Sequence, residues 1–355
     1  MEHGADLLTY QDRYDGELID FSSNINPLGP PEGLENVLID SFKTLITYPD
    51  IKYRKLKESI SNYLACHKEN VLVGNGAVEI IDSFVMATKR VIITTPSFSE
   101  YEKRAVIHGK EVIRIPYKED FCIDLDRLDV IRKGDLLILG NPNNPTGLRI
   151  EKGELKTIYE MVKKAKGFLL LDEAFFEFCP EDYDSIEIFK EYNFESVGII
   201  RAATKFFALP GIRLGYGCTS METAKKIERN QLPWSVNTLA DAAGQFIFND
   251  KEYIEKSKLY INNERQFLLD ELSKIEGINV YNSHTNYILI KLLEEVDEHA
   301  FNYFLQHGMV LRKCSSFLEL GNNHIRVAVK DRKNNLRLLN AFREYNCKKD
   351  ESYKG

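Results

Sequence analysis

Lys205 stands in the surroundings that most favour chemistry, after Thr204 and before two phenylalanines. Apolar neighbours can desolvate a lysine amine, which lowers its pKa and makes it nucleophilic. Most lysines are surface residues, so this position alone does not identify a catalytic amine. Eight positions further on, Arg213 lies between two nearby glycines, where its guanidinium could bind a phosphate through paired hydrogen bonds.

Two further turns place polar groups after predicted strands. Asp172 ends the apolar run 168–171, where a buried carboxylate is costly unless it meets a cation. A protonated ring nitrogen would be such a cation, although the carboxylate could equally cap the next helix. Asn144 lies in the octet 140–147, whose two Asn-Pro steps force turn geometry, and its amide could donate to a ring oxygen.

A third group of residues could hold an anion and a flat ring. Small residues at 74–78, among them Gly76, Ala77 and Val78, let backbone amides approach an anion at the start of a helix. A Gly-x-Gly turn is nevertheless structural more often than phosphate-binding. Phe98 follows the next strand and could either stack on a planar ligand or fill the core.

A single ligand accounts for all of these turns. It would carry a phosphate for the glycine turn, a flat ring for the aromatic residue and an oxygen for the asparagine amide. A protonated ring nitrogen would meet Asp172, and an aldehyde would bond to Lys205. Pyridoxal 5′-phosphate (PLP) has each of these groups.

The elements that must position these residues are short apolar strands alternating with amphipathic helices. Near-continuous apolar strands of this kind predict an α/β fold with a mostly parallel sheet covered on both faces. The predicted strands of this part are 71–73, 91–95, 136–139, 168–171 and 197–200. A helix is predicted at 152–165.

Three regions are predicted along the chain. Residues 1–35 form an arm whose first 30 or so residues carry no helical or strand period, 36–235 a large domain and 236–355 a smaller α+β domain. The predicted elements of the small domain are helices at 251–275, 297–306 and 332–345 and strands at 278–281, 286–290, 309–312 and 324–329.

Composition excludes several classes of protein. Among 355 residues, 43% are hydrophobic and 28% charged, the balance of a globular protein with a large core. A net charge of −7 disfavours a nucleic-acid partner, and neither a membrane span nor a secretory signal is expected. Six cysteines without a Cys-x-x-Cys pair indicate reduced thiols in a cytoplasmic protein and no metal site.

Three segments occur in the order found in a known family. Asn-Pro-Asn-Asn-Pro-Thr-Gly, Asp-Glu-Ala-Phe and Thr-Lys-(x)7-Arg-x-Gly resemble the fold-type I PLP enzymes of the class I/II aminotransferase group, over about 20–343. The resemblance implies a large three-layer domain and a smaller C-terminal one. It also implies that Lys205 bonds to the cofactor, Asp172 pairs with the ring nitrogen and Asn144 donates to the ring hydroxyl. Phosphate and ring contacts would come from Gly76, Ala77, Val78, Thr204, Arg213 and Phe98.

Within this group the arm is the most specific segment. Asp-Phe-Ser-Ser-Asn-Ile-Asn-Pro-Leu-Gly at 20–29 resembles the threonine-phosphate decarboxylases of cobalamin synthesis, a sister branch of the histidinol-phosphate aminotransferases. Phe175 stands where many aminotransferases have a tyrosine, which tilts the resemblance toward decarboxylation of L-threonine O-3-phosphate. The alternatives are an aminotransferase for histidinol phosphate or another amino acid and, least favoured, a PLP-binding regulator without turnover.

The resemblance also implies a substrate site. Arg326 stands at the family's substrate-carboxylate position, and Arg312 lies on a neighbouring predicted strand, although each could instead form a surface ion pair. Two arginines suit a small phosphorylated amino acid. Tyr48 resembles a residue contributed across a dimer interface, which implies a homodimer. The further predicted substrate contacts are His3, Asn24, Ile25 and Asn144.

Overall fold

The computed structural model describes residues 4–352, with side chains described as far as Tyr345. Its helices are α1 (Leu34–Ser41), α2 (Arg54–Tyr63), α3 (Ala77–Met86), α4 (Glu100–Ile107), α5 (Lys152–Lys164), α6 (Ser185–Lys190), α7 (Met221–Glu228), α8 (Thr238–Ile247), α9 (Lys251–Leu272), α10 (Asp297–Gln306) and α11 (Arg332–Ser352). Its strands are β1 (Ile19–Asp20), β2 (Val71–Asn75), β3 (Arg90–Thr95), β4 (Glu111–Pro116), β5 (Leu136–Gly140), β6 (Phe168–Asp172), β7 (Val197–Ala202), β8 (Leu214–Thr219), β9 (Ile278–Val280), β10 (Tyr287–Leu292), β11 (Met309–Val310), β12 (Arg312–Lys313) and β13 (His324–Ala328). The predicted α/β class is confirmed.

The large sheet has seven strands in the order β2-β8-β7-β6-β5-β3-β4. β8 runs antiparallel to both of its neighbours, and the other pairs are parallel. All five predicted strands occur, whereas β4 and β8 were not predicted. β8 is rich in glycine, which weakens its strand pattern. A Cβ at Gly217 would lie 2.1 Å from the Ile199 carbonyl oxygen, so this close strand pairing requires glycine.

Alternate residues of the central strands point to opposite faces of this sheet. Leu137, Leu169 and Ile199 join one buried cluster, which includes residues of α2, α5, α6 and α8. Leu170 and Ile200 join the other, which includes residues of α3, α4 and α7. The sheet is therefore the middle of three layers, and burial on both faces explains why its strands are apolar along their length.

A second sheet, antiparallel and in the order β12-β13-β10-β9, forms the centre of the smaller C-terminal part. All of the elements predicted there occur, and the strand predicted at 309–312 is divided into β11 and β12. Helix α8, just after the predicted boundary at 235/236, packs on α1 and α2. The domain bounds themselves stay a prediction.

The arm has more regular structure than its sequence predicts. A 3₁₀ helix covers Leu8–Arg13, and β1 pairs in parallel with β11. The prediction of an arm without helix or strand was wrong because tertiary pairing stabilises a two-residue strand that has no detectable period.

None of the helices described is both long and apolar enough to cross a membrane.

Candidate active site

One pocket lies where the carboxyl ends of β5, β6 and β7 face the smaller sheet and the arm. Most of the predicted site residues line it: Asn24, Ala77, Val78, Phe98, Asn144, Asp172, Thr204, Lys205, Arg213, Arg312 and Arg326. Gly76, Ile25 and Tyr48 do not contribute to its wall, and His3 lies outside the described residues. The sequence therefore identified residues from distant segments that the fold brings together.

Lys205 follows β7 and reaches the pocket from a loop that the arm holds in place. Desolvation by the surrounding protein lowers the pKa of its amine to about 8, with Arg326 acting in the same direction and Asp20 opposing both. The amine lies 5.8 Å from the centre of the Phe175 ring. The Asn26 N–H donates to the Lys205 carbonyl over 3.0 Å, and the Asn26 Nδ2 donates to the Phe206 carbonyl over 2.9 Å. The amine is thus suited to act as a nucleophile near neutral pH.

Asp172 ends β6 and is 8% exposed. The Tyr101 hydroxyl donates to its Oδ2 over 2.7 Å, and the Ala174 N–H donates to its Oδ1 over 3.1 Å. Burial raises the pKa of this carboxyl, and the Tyr101 hydrogen bond partly offsets that effect. A buried carboxylate with two neutral donors is suited to a cationic partner, as a protonated ring nitrogen would be.

Behind Asp172, a buried ion pair joins the ends of β6 and β7. Arg201 donates to Glu173 Oε2 from Nε over 3.1 Å and from Nη2 over 2.9 Å. The Asn141 amide donates to Glu173 Oε1 over 3.2 Å. Burial raises the pKa of Glu173 to about 7, against the effect of Arg201. Sequence analysis assigned no role to Tyr101, Glu173 or Arg201, and a second acidic residue at the strand end was the only signal for the pair.

The turn between β2 and α3 forms a cradle that packs closely against Arg213 and β8. Gly76 has φ +81°, and a Cβ there would lie 2.4 Å from an Arg213 guanidinium nitrogen. A Cβ at Gly215 would lie 2.4 Å from the Ala77 nitrogen. Among the described residues no side chain caps α3 at Gly76, so the first amides of this helix are available to an acceptor. Amides, a helix N-terminus and the exposed Arg213 together fit the phosphate of PLP.

Arg326 and Arg312 stand opposite each other in the β12–β13 pair. Arg326 donates from Nη2 to the Ser22 carbonyl over 2.9 Å and from Nη1 to the Asn144 side-chain oxygen. Its buried Nε has no hydrogen-bond partner among the described residues, and burial lowers the pKa of the guanidinium. Arg312 donates to Ser316 Oγ over 2.8 Å. Both guanidinium groups border the pocket. The acceptors in these three hydrogen bonds, a carbonyl, an amide oxygen and a hydroxyl, are all neutral.

Asn144 was predicted to donate to a ring oxygen, and this stays a prediction. Because its side-chain oxygen accepts from Arg326, its amide nitrogen is the atom left for donation.

Tyr48 is 78% exposed and packs on Trp234, with ring centres 4.6 Å apart. Its predicted contribution to a partner's site stays a prediction.

Known proteins resemble this chain over nearly its whole length. A protein of Caldanaerobacter subterraneus subsp. tengcongensis, provisionally named threonine-phosphate decarboxylase, is 40% identical over 96% of this chain and 93% of its own. The threonine-phosphate decarboxylase of Salmonella typhimurium is 33% identical over 92% of this chain and 91% of its own. The crystal structure of the histidinol-phosphate aminotransferase from Clostridium acetobutylicum matches with a TM-score of 0.87 and 38% identity, covering 92% of this chain and 99% of that chain.

The family is shown by a match of residues 16–342 to aminotransferase class I and II. It confirms the predicted PLP cofactor and fold type. The geometry of Lys205, Asp172 and the Gly76 cradle is consistent with that cofactor, while the roles of the individual residues stay predictions. The chain therefore belongs to the class I and II aminotransferase family, as a PLP-dependent enzyme of fold type I.

Proposed function

We propose that this enzyme decarboxylates L-threonine O-3-phosphate to (R)-1-amino-2-propanol phosphate, a step of cobalamin biosynthesis. The observation that carries the proposal is the pair Arg326 and Arg312, which stand in register and border the same pocket. A substrate with both a carboxylate and a phosphate would supply one anion to each guanidinium.

Charge accounting supports a phosphorylated substrate. In this proposal Arg213 and the amides after Gly76, at the α3 side of the pocket, would bind the phosphate of PLP. Arg326 and Arg312 are 5% and 3% exposed, and burying two guanidinium groups is costly without anions. A substrate with two anionic groups would offset the cost of burying these two guanidinium groups at the pocket.

Bound PLP supplies an electron sink for the pair of electrons left when a bond to the substrate α-carbon breaks. The Asp172 carboxylate would accept a hydrogen bond from the protonated ring nitrogen and keep that nitrogen protonated. Lys205 moves a proton at the α-carbon, as a base in transamination or as an acid after loss of CO₂. Arg326 orients the carboxylate, and the orientation selects the bond that breaks.

Phe175 supports decarboxylation within this family. Its ring packs edge to face on Tyr287, with centres 5.0 Å apart, and offers no hydroxyl to the pocket. Many aminotransferases place a tyrosine hydroxyl at this position. The rival proposal, transamination of histidinol phosphate, rests on the similarity of the Clostridium acetobutylicum structure.

Product analysis tests the proposal. Purified enzyme with PLP is incubated with phosphothreonine, with and without 2-oxoglutarate, and in parallel with histidinol phosphate and 2-oxoglutarate. We expect CO₂ and aminopropanol phosphate from phosphothreonine, independent of 2-oxoglutarate. Glutamate formation that depends on histidinol phosphate, without release of CO₂ from phosphothreonine, would make the enzyme an aminotransferase instead.

We also propose a homodimer. The segments around Tyr48 and Trp234 meet through these two rings and expose large apolar side chains. Ile46 is 91% exposed and Leu232 is 75% exposed. Exposed apolar surface of this extent is typical of an interface. In analytical ultracentrifugation the wild type is expected to sediment as a dimer. Leu232→Asp is expected to raise the dissociation constant of that dimer. A monomeric wild type at micromolar concentration would contradict the proposal.

A further inference from the structure

Asp20 ends β1 outside the pocket wall, yet its carboxylate organises the arm residues that form part of that wall. Its Oδ1 accepts from the Ser22 N–H over 2.8 Å, from the Ser22 hydroxyl over 2.6 Å and from the Ser23 N–H over 3.1 Å. Its Oδ2 accepts from the Ser23 hydroxyl. Four hydrogen bonds from two consecutive residues fix one turn of backbone.

This turn holds a backbone carbonyl against Arg326. The Ser22 carbonyl accepts from Arg326 Nη2 over 2.9 Å, and Ser22 is fully buried. Gly4 packs against the same carbonyl, because a Cβ at Gly4 would lie 2.3 Å from the Ser22 oxygen. The Ala5 N–H donates to the Ser22 hydroxyl over 2.9 Å. The orientation of Arg326 thus depends on a peptide that Asp20 holds.

Both ends of the arm segment are anchored by pairings that do not involve the carboxylate. The Phe21 N–H donates to the Val310 carbonyl over 2.9 Å, and the Ala328 N–H donates to the Phe21 carbonyl over 2.9 Å. The Asn26 N–H donates to the Lys205 carbonyl. Loss of the Asp20 carboxylate should therefore release the local turn and leave the arm attached.

We propose that Asp20 is a positioning residue for substrate binding, which holds the Ser22–Ser23 turn so that the Ser22 carbonyl orients the Arg326 guanidinium. The carboxylate does not touch the substrate and acts through Arg326. This proposal rests on the substrate-binding role of Arg326 given above.

Steady-state kinetics of Asp20→Ala and Asp20→Asn test the proposal. Asparagine keeps the Oδ1 acceptor of the turn, whereas alanine removes every hydrogen bond. Asp20→Ala is expected to raise KM about fivefold to tenfold with kcat within threefold, and Asp20→Asn to stay within threefold of wild type in both constants. Asp20→Ala within twofold of wild type, or Asp20→Asn as impaired as Asp20→Ala, would overturn it.

A double-mutant cycle separates positioning from general destabilisation. In an Arg326→Ala background, Asp20→Ala is expected to cost less than twofold further in kcat/KM, because the group that it orients is gone. An undiminished loss in that background would show that Asp20 acts elsewhere. Asp120→Asn is the matched control, since Asp120 accepts the Cys122 N–H over 3.0 Å in an exposed turn and does not line the pocket.

Two arrangements keep the test independent of other failures. The assay uses whichever reaction the wild type catalyses, so an enzyme that proves to be an aminotransferase refutes the proposed function without affecting this test. If Asp20→Ala does not fold, Ser22→Ala replaces it, because it removes the 2.6 Å hydroxyl bond and keeps the carbonyl. A rise in KM of about twofold that disappears in the Arg326→Ala background is then expected. No rise, or one that persists there, would overturn the proposal.

Discussion

The two sides of the pocket are built in different ways. On the side that we propose binds the cofactor, called the cofactor side below, Asp172 ends β6 and Lys205 follows β7 at the carboxyl edge of one sheet, where parallel strands end together. On the side that we propose binds the substrate, called the substrate side, Arg326 lies on the other sheet and is held by the arm and by Asn144. The first side is built mainly at the edge of one sheet, with the Lys205 loop also bonded to Asn26 of the arm. The second side joins the smaller sheet, the arm and the Asn144 turn. Changes on the first side should therefore affect chemistry, and changes on the second should affect recognition.

Lys205→Ala should lower turnover more than any other substitution considered, because it removes the amine that reacts on the cofactor side. Turnover is expected to fall by at least about 10²–10⁴-fold, the range contributed by a positioned acid or base. PLP should still bind through Arg213 and the turn amides but without a covalent link. Borohydride reduction followed by peptide mass spectrometry should label Lys205 in wild type. Label on another lysine would contradict the assignment.

Asp172→Ala should lower turnover by about 10²–10³-fold, because loss of one fixed electrostatic partner typically has that effect. The protein is expected to fold normally, as circular dichroism and thermal unfolding would show. Asp172→Asn is the matched control for size. Near-normal turnover in both variants would mean that the carboxylate serves only to terminate β6.

The pH dependence of cofactor attachment measures how strongly the cofactor side activates its amine. The neutral form of Lys205 is the nucleophile, and a pKa of about 8 in place of 10.5 gives roughly 300-fold more of it at neutral pH. Reconstitution of the PLP-free enzyme should therefore accelerate as the pH rises toward about 8 and level off above it. A rate that keeps rising beyond pH 10 would indicate an unperturbed lysine.

Arg326→Ala and Arg312→Ala should have a smaller effect, confined to the substrate side. Charge-assisted hydrogen bonds are worth about 1.5–3 kcal/mol, so each variant should weaken kcat/KM tenfold or more. PLP content, measured by absorbance, should not change. Phosphothreonine should be preferred over threonine in wild type, by a margin that shrinks in whichever variant removes the phosphate contact. Loss of PLP from either variant would erase the distinction between the two sides.

Sequence reasoning succeeded where one local signal sufficed. The strands that end near Asn144, Asp172 and Lys205 are apolar along their length because both sheet faces are buried, and their turns are chemically distinctive. β8 was not predicted because its glycines interrupt the apolar pattern of a strand. These glycines are needed because neighbouring backbone packs too closely for a Cβ at Gly215 or Gly217. A single sequence has no local pattern that records such a requirement.

On the substrate side, too, a single sequence does not reveal contacts between residues that are far apart along the chain. Residues 22 and 326 meet through a backbone carbonyl, which any residue type supplies, so the sequence carries no mark of the contact. The Tyr101 hydroxyl on Asp172 joins α4 to β6, and only the packed layers bring these groups together. Family resemblance pointed to Arg326, whereas its supports had to be read from the structure.

The bond from the Asn26 N–H to the Lys205 carbonyl has a practical consequence for anyone who shortens this chain. The Asn26 side chain also donates to Tyr253 and Ser257 on α9, over 3.1 and 2.9 Å, so one residue ties the amine-bearing loop to a long helix. Trimming the first 26 residues to improve expression or crystallisation would remove that tie. Such an edit at the terminus is, in chemical terms, a mutation of the active site.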